Sequence, residues 1–206
     1  MVGMKYVFTR AQFSALMVLS GVTKLYTFPL DQELPREKLI AALHALYQKG
    51  AAVSDGNTLA PEPELGRLLS TAGRAERTVL LTDVSGEFPQ HQLWSAGEGE
   101  LVVLERCRTE SEDTFKLCSA SDDRFLEDLF ENELGDPEKP GEPREMLRVE
   151  WADAAGEPMR RMSVQVLDGG VWMLLQDREG ERLCLPCSRE EFRTQFLKGW
   201  EENSLD

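Results

Sequence analysis

Histidine is nearly absent from this chain, with His44 and His91 the only two in 206 residues. That scarcity limits nucleophilic catalysis, which needs a base held against an activated serine or cysteine. His44 falls inside a helical stretch between Leu43 and Ala45, and His91 opens a strand between Gln90 and Gln92. Neither adjoins an acid and a nucleophile. There is no G-x-S-x-G elbow, no Walker-type glycine loop and no dinucleotide fingerprint; Gly97-Glu98-Gly99 is a fragment of the last, set between strands. Cysteine is sparse too. Of Cys107, Cys118, Cys184 and Cys187, only the last two form a C-x-x-C pair. The helix expected there starts after the second thiol, so its dipole cannot activate the first, and a zinc site would lack further ligands. No apolar run approaches bilayer length, and Phe13 to Leu19 reads as a buried helix. Met1 to Arg10 lacks the basic-then-apolar layout of a signal peptide, so a cytoplasmic location is expected.

What is present is a soluble composition, 41% hydrophobic and 29% charged, with a formal net charge of -14. The charge is uneven. Residues 1–75 hold 8 Lys/Arg against 6 Asp/Glu, whereas residues 76–206 hold 15 against 31. Such an acidic surface repels phosphate backbones and favours either solubility or a basic partner. The densest cluster is Asp122, Asp123, Glu127, Asp128, Glu131 and Glu133. It could coordinate calcium or magnesium, yet it lacks the glycine-punctuated loop of an EF-hand and reads as a solvated helix face. No catalytic residue, cofactor or metal ligand is expected.

Periodicity places the elements. Tyr6 to Phe8 is a short strand, and Thr9-Arg10-Ala11-Gln12 makes a capping box for a helix carrying Phe13, Leu16 and Met17, stopped by Gly21. Leu25 to Phe28 could be extended. A second helix spans Leu34 to Lys49, with Pro35 in its first turn and Leu39, Ile40, Leu43, Leu46 and Tyr47 on one stripe. Ser54-Asp55-Gly56-Asn57 signals a hairpin, and Pro61 to Ala72 a third helix with Leu65, Leu68 and Leu69 inward.

After Gly73 the period turns to alternation. Strands are expected at Thr78 to Asp83, His91 to Ala96, Leu101 to Arg106 and Thr114 to Cys118, followed by a helix from Ser121. Gly135 to Pro143, rich in proline and glycine, reads as a linker. The sequence then repeats itself: Met146 to Trp151, Met162 to Val166, Val171 to Gln176 and Leu183 to Leu185, with a helix capped by Ser188 and Glu191. Val171 to Gln176 is apolar on both faces, which suggests a central strand. Ser121 with Phe125, and Ser188 with Phe192, occupy matching places in the two stretches. The expected fold is therefore α+β, an antiparallel sheet built from two quasi-repeated meander-plus-helix halves after a helical N-terminal region. The corresponding organisation is 1–75, 76–140 and 141–206, joined as one compact unit.

Helix, helix and hairpin at residues 10–59 are also compatible with a winged-helix regulator, with Arg36, Lys38, Gln48 and Lys49 on the second helix. The hairpin turn is not basic, however, and no dense Lys/Arg stripe exists, which speaks against nucleic acid. Taken whole, the order of parts resembles the EspG-type chaperones of type VII secretion. The residues that carry it are a leading strand and helix, a second helix leaving through Lys49-Gly50-Ala51-Ala52-Val53, a short helix near residue 65, and the two sheet-and-helix halves. The resemblance covers nearly the whole chain. It implies a cytosolic, non-enzymatic protein that keeps a helical-hairpin secretion substrate, or another secretion component, soluble before export. It carries over no individual binding residue, since this chain is shorter than the mycobacterial members. Strand residues such as Leu93, Trp94 and Trp172 would be natural contacts if they were not spent on the core. An exposed edge strand could pair two copies into a homodimer.

Overall fold

The computed structural model describes residues 6–22, 34–83, 90–108, 113–134, 144–167 and 170–201, without the side chains of residues 132 and 133. The expectations at Leu25 to Phe28, Gly86, Glu110 and Gly135 to Pro143 lie outside those residues. The fold is α+β. The strands are β1 (Tyr6–Thr9), β2 (Ala52–Ser54), β3 (Leu59–Pro61), β4 (Arg77–Asp83), β5 (His91–Gly97), β6 (Glu100–Arg108), β7 (Asp113–Ser121), β8 (Arg144–Asp153), β9 (Pro158–Leu167), β10 (Gly170–Asp177) and β11 (Arg182–Pro186). Nine of them form an antiparallel sheet in the order β1-β7-β6-β5-β4-β8-β9-β10-β11, and a two-stranded sheet, β2-β3, accompanies it. Two four-strand meanders, β4 (Arg77–Asp83) through β7 (Asp113–Ser121) and β8 (Arg144–Asp153) through β11 (Arg182–Pro186), each run on into a helix. Their first strands pair antiparallel, Leu81 opposite Val149 and Val79 opposite Trp151. The strand order consequently reads outward in sequence from β4 to β7 on one side, with β1 beyond it at the edge, and from β8 to β11 on the other.

The chain divides into two compact units, Met1–Ala75 with Val102–Ser119, and Glu76–Leu101 with Ala120–Asp206. In the first, β1 (Tyr6–Thr9) pairs with β7. Thr9 then caps α1 (Arg10–Ser20) through a reciprocal box with Gln12, and Gly21 closes the helix in the left-handed region at φ 65°. Phe13, Leu16 and Met17 are buried, and Phe13 stacks on Phe115 of β7 at 5.2 Å. Helix α3 (Pro63–Arg74) buries Leu65, Leu68 and Leu69. Its N-cap is Glu62, whose carboxylate accepts from Leu65 N at 3.0 Å and from the Tyr6 hydroxyl at 2.8 Å. Helix α2 (Arg36–Gln48) departs from expectation in two ways. Pro35 is its N-cap residue, outside the first turn, and only Ala42 and Leu46 are buried. Ile40 and Tyr47 are each 55% exposed, so the apolar stripe is wider than the surface that covers it.

In the second unit every alternate residue of the central strands points into one core. The register puts Leu147, Val149 and Trp151 of β8 beside Val164, Met162 and Arg160 of β9 (Pro158–Leu167). Val166, Val164 and Met162 then meet Val171, Met173 and Leu175 of β10 (Gly170–Asp177). Helix α5 (Arg189–Glu201) lies on this face, with Phe196 at 5.8 Å from the Trp151 ring. Helix α4 (Asp122–Leu129) follows β7 and passes into a π-helical turn, Phe130–Leu134. Leu126, Leu129, Phe130 and Leu134 are all buried, as the stripe requires.

Three further expectations are corrected. Strand β10 is not central but second from the end of the sheet, and the apolar side chains of its other face, Trp172 and Leu174, are only half-buried. The two capping serines do not act alike. Ser188 Oγ accepts from Glu191 N at 3.1 Å, whereas Ser121 makes no side-chain cap and Asp122 Oδ1 takes the Asp123 N–H at 2.7 Å. The matched phenylalanines differ as well: Phe192 is buried between Phe130 and Phe196, while Phe125 is half-buried with its ring edge-on to His91 at 6.0 Å.

Candidate partner-binding surfaces

The β8–β11 end of the sheet has a second face, opposite the one that α5 covers. Register fixes its rows. One row runs Pro186, Trp172, Gln165, Glu145; the next runs Cys184, Leu174, Ser163, Arg148; a third holds Arg182, Gln176, Arg161, Glu150. Trp172 and Leu174 are half-buried, and Cys184 and Pro186 of the last strand are exposed. An apolar strip therefore lies along β10 and β11. The β8–β9 side of it is a closed polar lattice. Ser163 Oγ donates to Glu145 Oε1 at 2.7 Å, Gln165 Nε2 donates to Ser163 Oγ at 2.9 Å, and Arg148 and Arg161 pair with Glu145 and Glu150 at 2.6 and 2.7 Å. Polar groups already satisfied by one another leave the strip as the part with most to gain from a partner. Of the strand residues considered for contact, Leu93 (0% exposed) and Trp94 (1%) belong to the core, and Trp94 Nε1 donates to Thr78 Oγ1 at 3.1 Å. Trp172 remains accessible.

A groove of about 440 Å³ lies between α4 and α5, within the same unit. Leu126, Phe130 and Phe192 line its base; Asp123 and Glu127 stand on the α4 wall, Arg189, Glu190 and Arg193 on the α5 wall. Arg193 is held on Asp123, with Nε at 2.8 Å, and Arg189 reaches Glu131 at 3.4 Å while lying 5.1 Å over the Phe130 ring. The acidic cluster read from the sequence is thus partly one half of an interhelical ion-pair set, an arrangement invisible until α5 is placed opposite α4.

Cys107 Sγ and Lys116 Nζ both donate to Glu105 Oε1, at 3.0 and 2.9 Å. Burial, then Glu105, pushes the Cys107 thiol up, with Lys116 acting in the opposite sense. A thiol held protonated is a poor nucleophile. None of the four cysteines is in a disulfide; Cys184 is exposed, and burial pushes Cys187 up to about 11. His44 is exposed on α2, and His91 packs against Phe125. Among the described residues, no group of three or more His, Cys, Asp or Glu is placed to hold a metal ion, and no helix is long and apolar enough to cross a membrane.

Tyr6 and Cys187 predict an alkaline limit on stability. Burial, then the hydrogen bond to Glu62, raises Tyr6 to about 12 from an ordinary 10.0, and burial raises Cys187 to about 11 from 9.0. The folded state therefore holds more protons than the unfolded one in this window. The stability these groups confer is complete below pH 9 and is lost as pH rises through 11 and 12. The urea midpoint should be flat to pH 9 and fall beyond it, with a shallower fall in Tyr6→Phe and Cys187→Ala. An unchanged slope in both variants would contradict the assignment.

Comparison with protein-family models and with curated proteins finds no match to this chain.

Proposed function

We propose that this chain is a non-enzymatic protein-binding module, a cytoplasmic chaperone or adaptor of the EspG-like type that holds a helical-hairpin secretion substrate soluble. The observation that carries the reading is the strip of Trp172, Leu174, Cys184 and Pro186 on the open sheet face, bordered by a self-satisfied polar lattice. A helical tip presenting two or three apolar side chains gains burial there without stranding a charge. The net charge of -14 keeps the complex soluble. The element order set out from the sequence supports the same reading, as does the pair of quasi-repeated halves.

The test is co-expression with the helical-hairpin proteins encoded beside this gene, followed by size-exclusion chromatography. One of them should co-elute with the wild type, and Trp172→Glu should weaken that association at least about tenfold while leaving the circular dichroism unchanged. Failure of every such protein to co-elute would remove the reading. Retardation of DNA by the isolated protein, steeply dependent on salt, would instead favour the winged-helix regulator.

A further inference from the structure

We infer that the groove between α4 and α5 is a second docking slot, for a short helical segment of a partner protein that carries an apolar anchor flanked by lysine or arginine. The inference stands apart from the sheet-face reading and uses different residues. Its first support is shape: about 440 Å³ of space over Leu126, Phe130 and Phe192, walled by two helices. The π-helical turn Phe130–Leu134 continues the α4 wall, and such turns occur often at binding sites because they break the regular helical surface.

Its second support is charge. The two arginines in the groove are already engaged, Arg193 by Asp123 and Arg189 by Glu131 and the Phe130 ring. Glu127 on one wall and Glu190 on the other are exposed, and neither has a bonded partner among the described residues. Two such carboxylates, one from each helix, line the groove together with Leu126, Phe130 and Phe192 and complement a cation whose neighbouring side chain seeks burial. They disfavour an acidic segment for the same reason. Residues 76–206, to which this groove belongs, hold 31 Asp/Glu against 15 Lys/Arg, so the surrounding field acts in the same direction.

The probe is a fluorescein-labelled, end-capped peptide of leucine and lysine at helical spacing, read by anisotropy, beside a counterpart with glutamate in place of lysine. The lysine peptide should bind the wild type and the glutamate peptide should not. Glu127→Gln with Glu190→Gln should weaken binding about tenfold, the sum of two partly exposed charge pairs. Glu179→Gln with Glu181→Gln removes the same charge from an exposed turn and should leave binding unchanged, as should Trp172→Glu. Equal weakening by the two double variants would reduce the effect to nonspecific attraction and overturn the proposal. So would binding of both peptides alike, or of neither.

Discussion

Trp151→Ala should cost about 4 kcal/mol of folding stability, near the upper range for truncating a large core side chain. Trp151 is fully buried, tilted against Phe196, with the Arg160 guanidinium 5.7 Å from its ring centroid. Helix α5 approaches so closely that Gly199 is its contact point: a Cβ there would lie 2.7 Å from Trp151 Cζ2 and nearer still to Cε2 and Nε1. Gly199→Ala should therefore destabilise by about 2 kcal/mol, although alanine is the better helix former by about 1 kcal/mol. The sign is the informative part. Urea unfolding with unchanged m-values checks both variants, and combining Gly199→Ala with Trp151→Phe should recover part of the loss. A neutral or stabilising Gly199→Ala would show that α5 does not rest on the indole.

Gln195→Leu should cost about 3 kcal/mol, because it strips a hydrogen bond from a buried charge. Arg160 is 2% exposed and donates from Nη2 to Gln195 Oε1 at 2.6 Å; Gln195 Nε2 in turn donates to Glu191 Oε1 at 2.8 Å. The amide thus carries part of the guanidinium's charge toward a carboxylate near the helix surface. Removing the amide alone leaves the cation desolvated with a partner lost. Replacing both ends, Arg160→Met with Gln195→Leu, should cost less than Gln195→Leu alone. That non-additivity, read from urea midpoints, separates a relayed charge from simple loss of packing volume. An additive result would contradict the relay.

The local rules were legible in the residues. Alternation at Leu147, Val149 and Trp151, and at Met162, Val164 and Val166, identified the buried side of β8 and β9. The Thr9–Gln12 box and Gly21 marked both ends of α1. Non-local facts were not legible. Strand order depends on which edges meet, and nothing in Val171 to Gln176 distinguishes burial on both faces from an apolar strip left on one. The width of the α2 stripe could not reveal that only Ala42 and Leu46 would be covered. The groove was not legible from the residues: Arg189 and Arg193 are one turn apart on α5, but the carboxylates they reach, Glu131 and Asp123, are eight residues apart on the other side. Such a pairing can be read only once the helices are known to be neighbours.

The half-buried to exposed strip of β10 and β11 is where the proposed partner docks, and site-specific photocrosslinking addresses it directly. A benzophenone amino acid at position 172, in cells that also express whatever helical-hairpin proteins are encoded beside this gene, should yield a covalent adduct identified by mass spectrometry as one of those proteins, while the same group at position 179 should yield none. Adduct formation at 179 but not at 172, or at neither position while the two proteins still co-purify, would place the partner elsewhere and contradict the account.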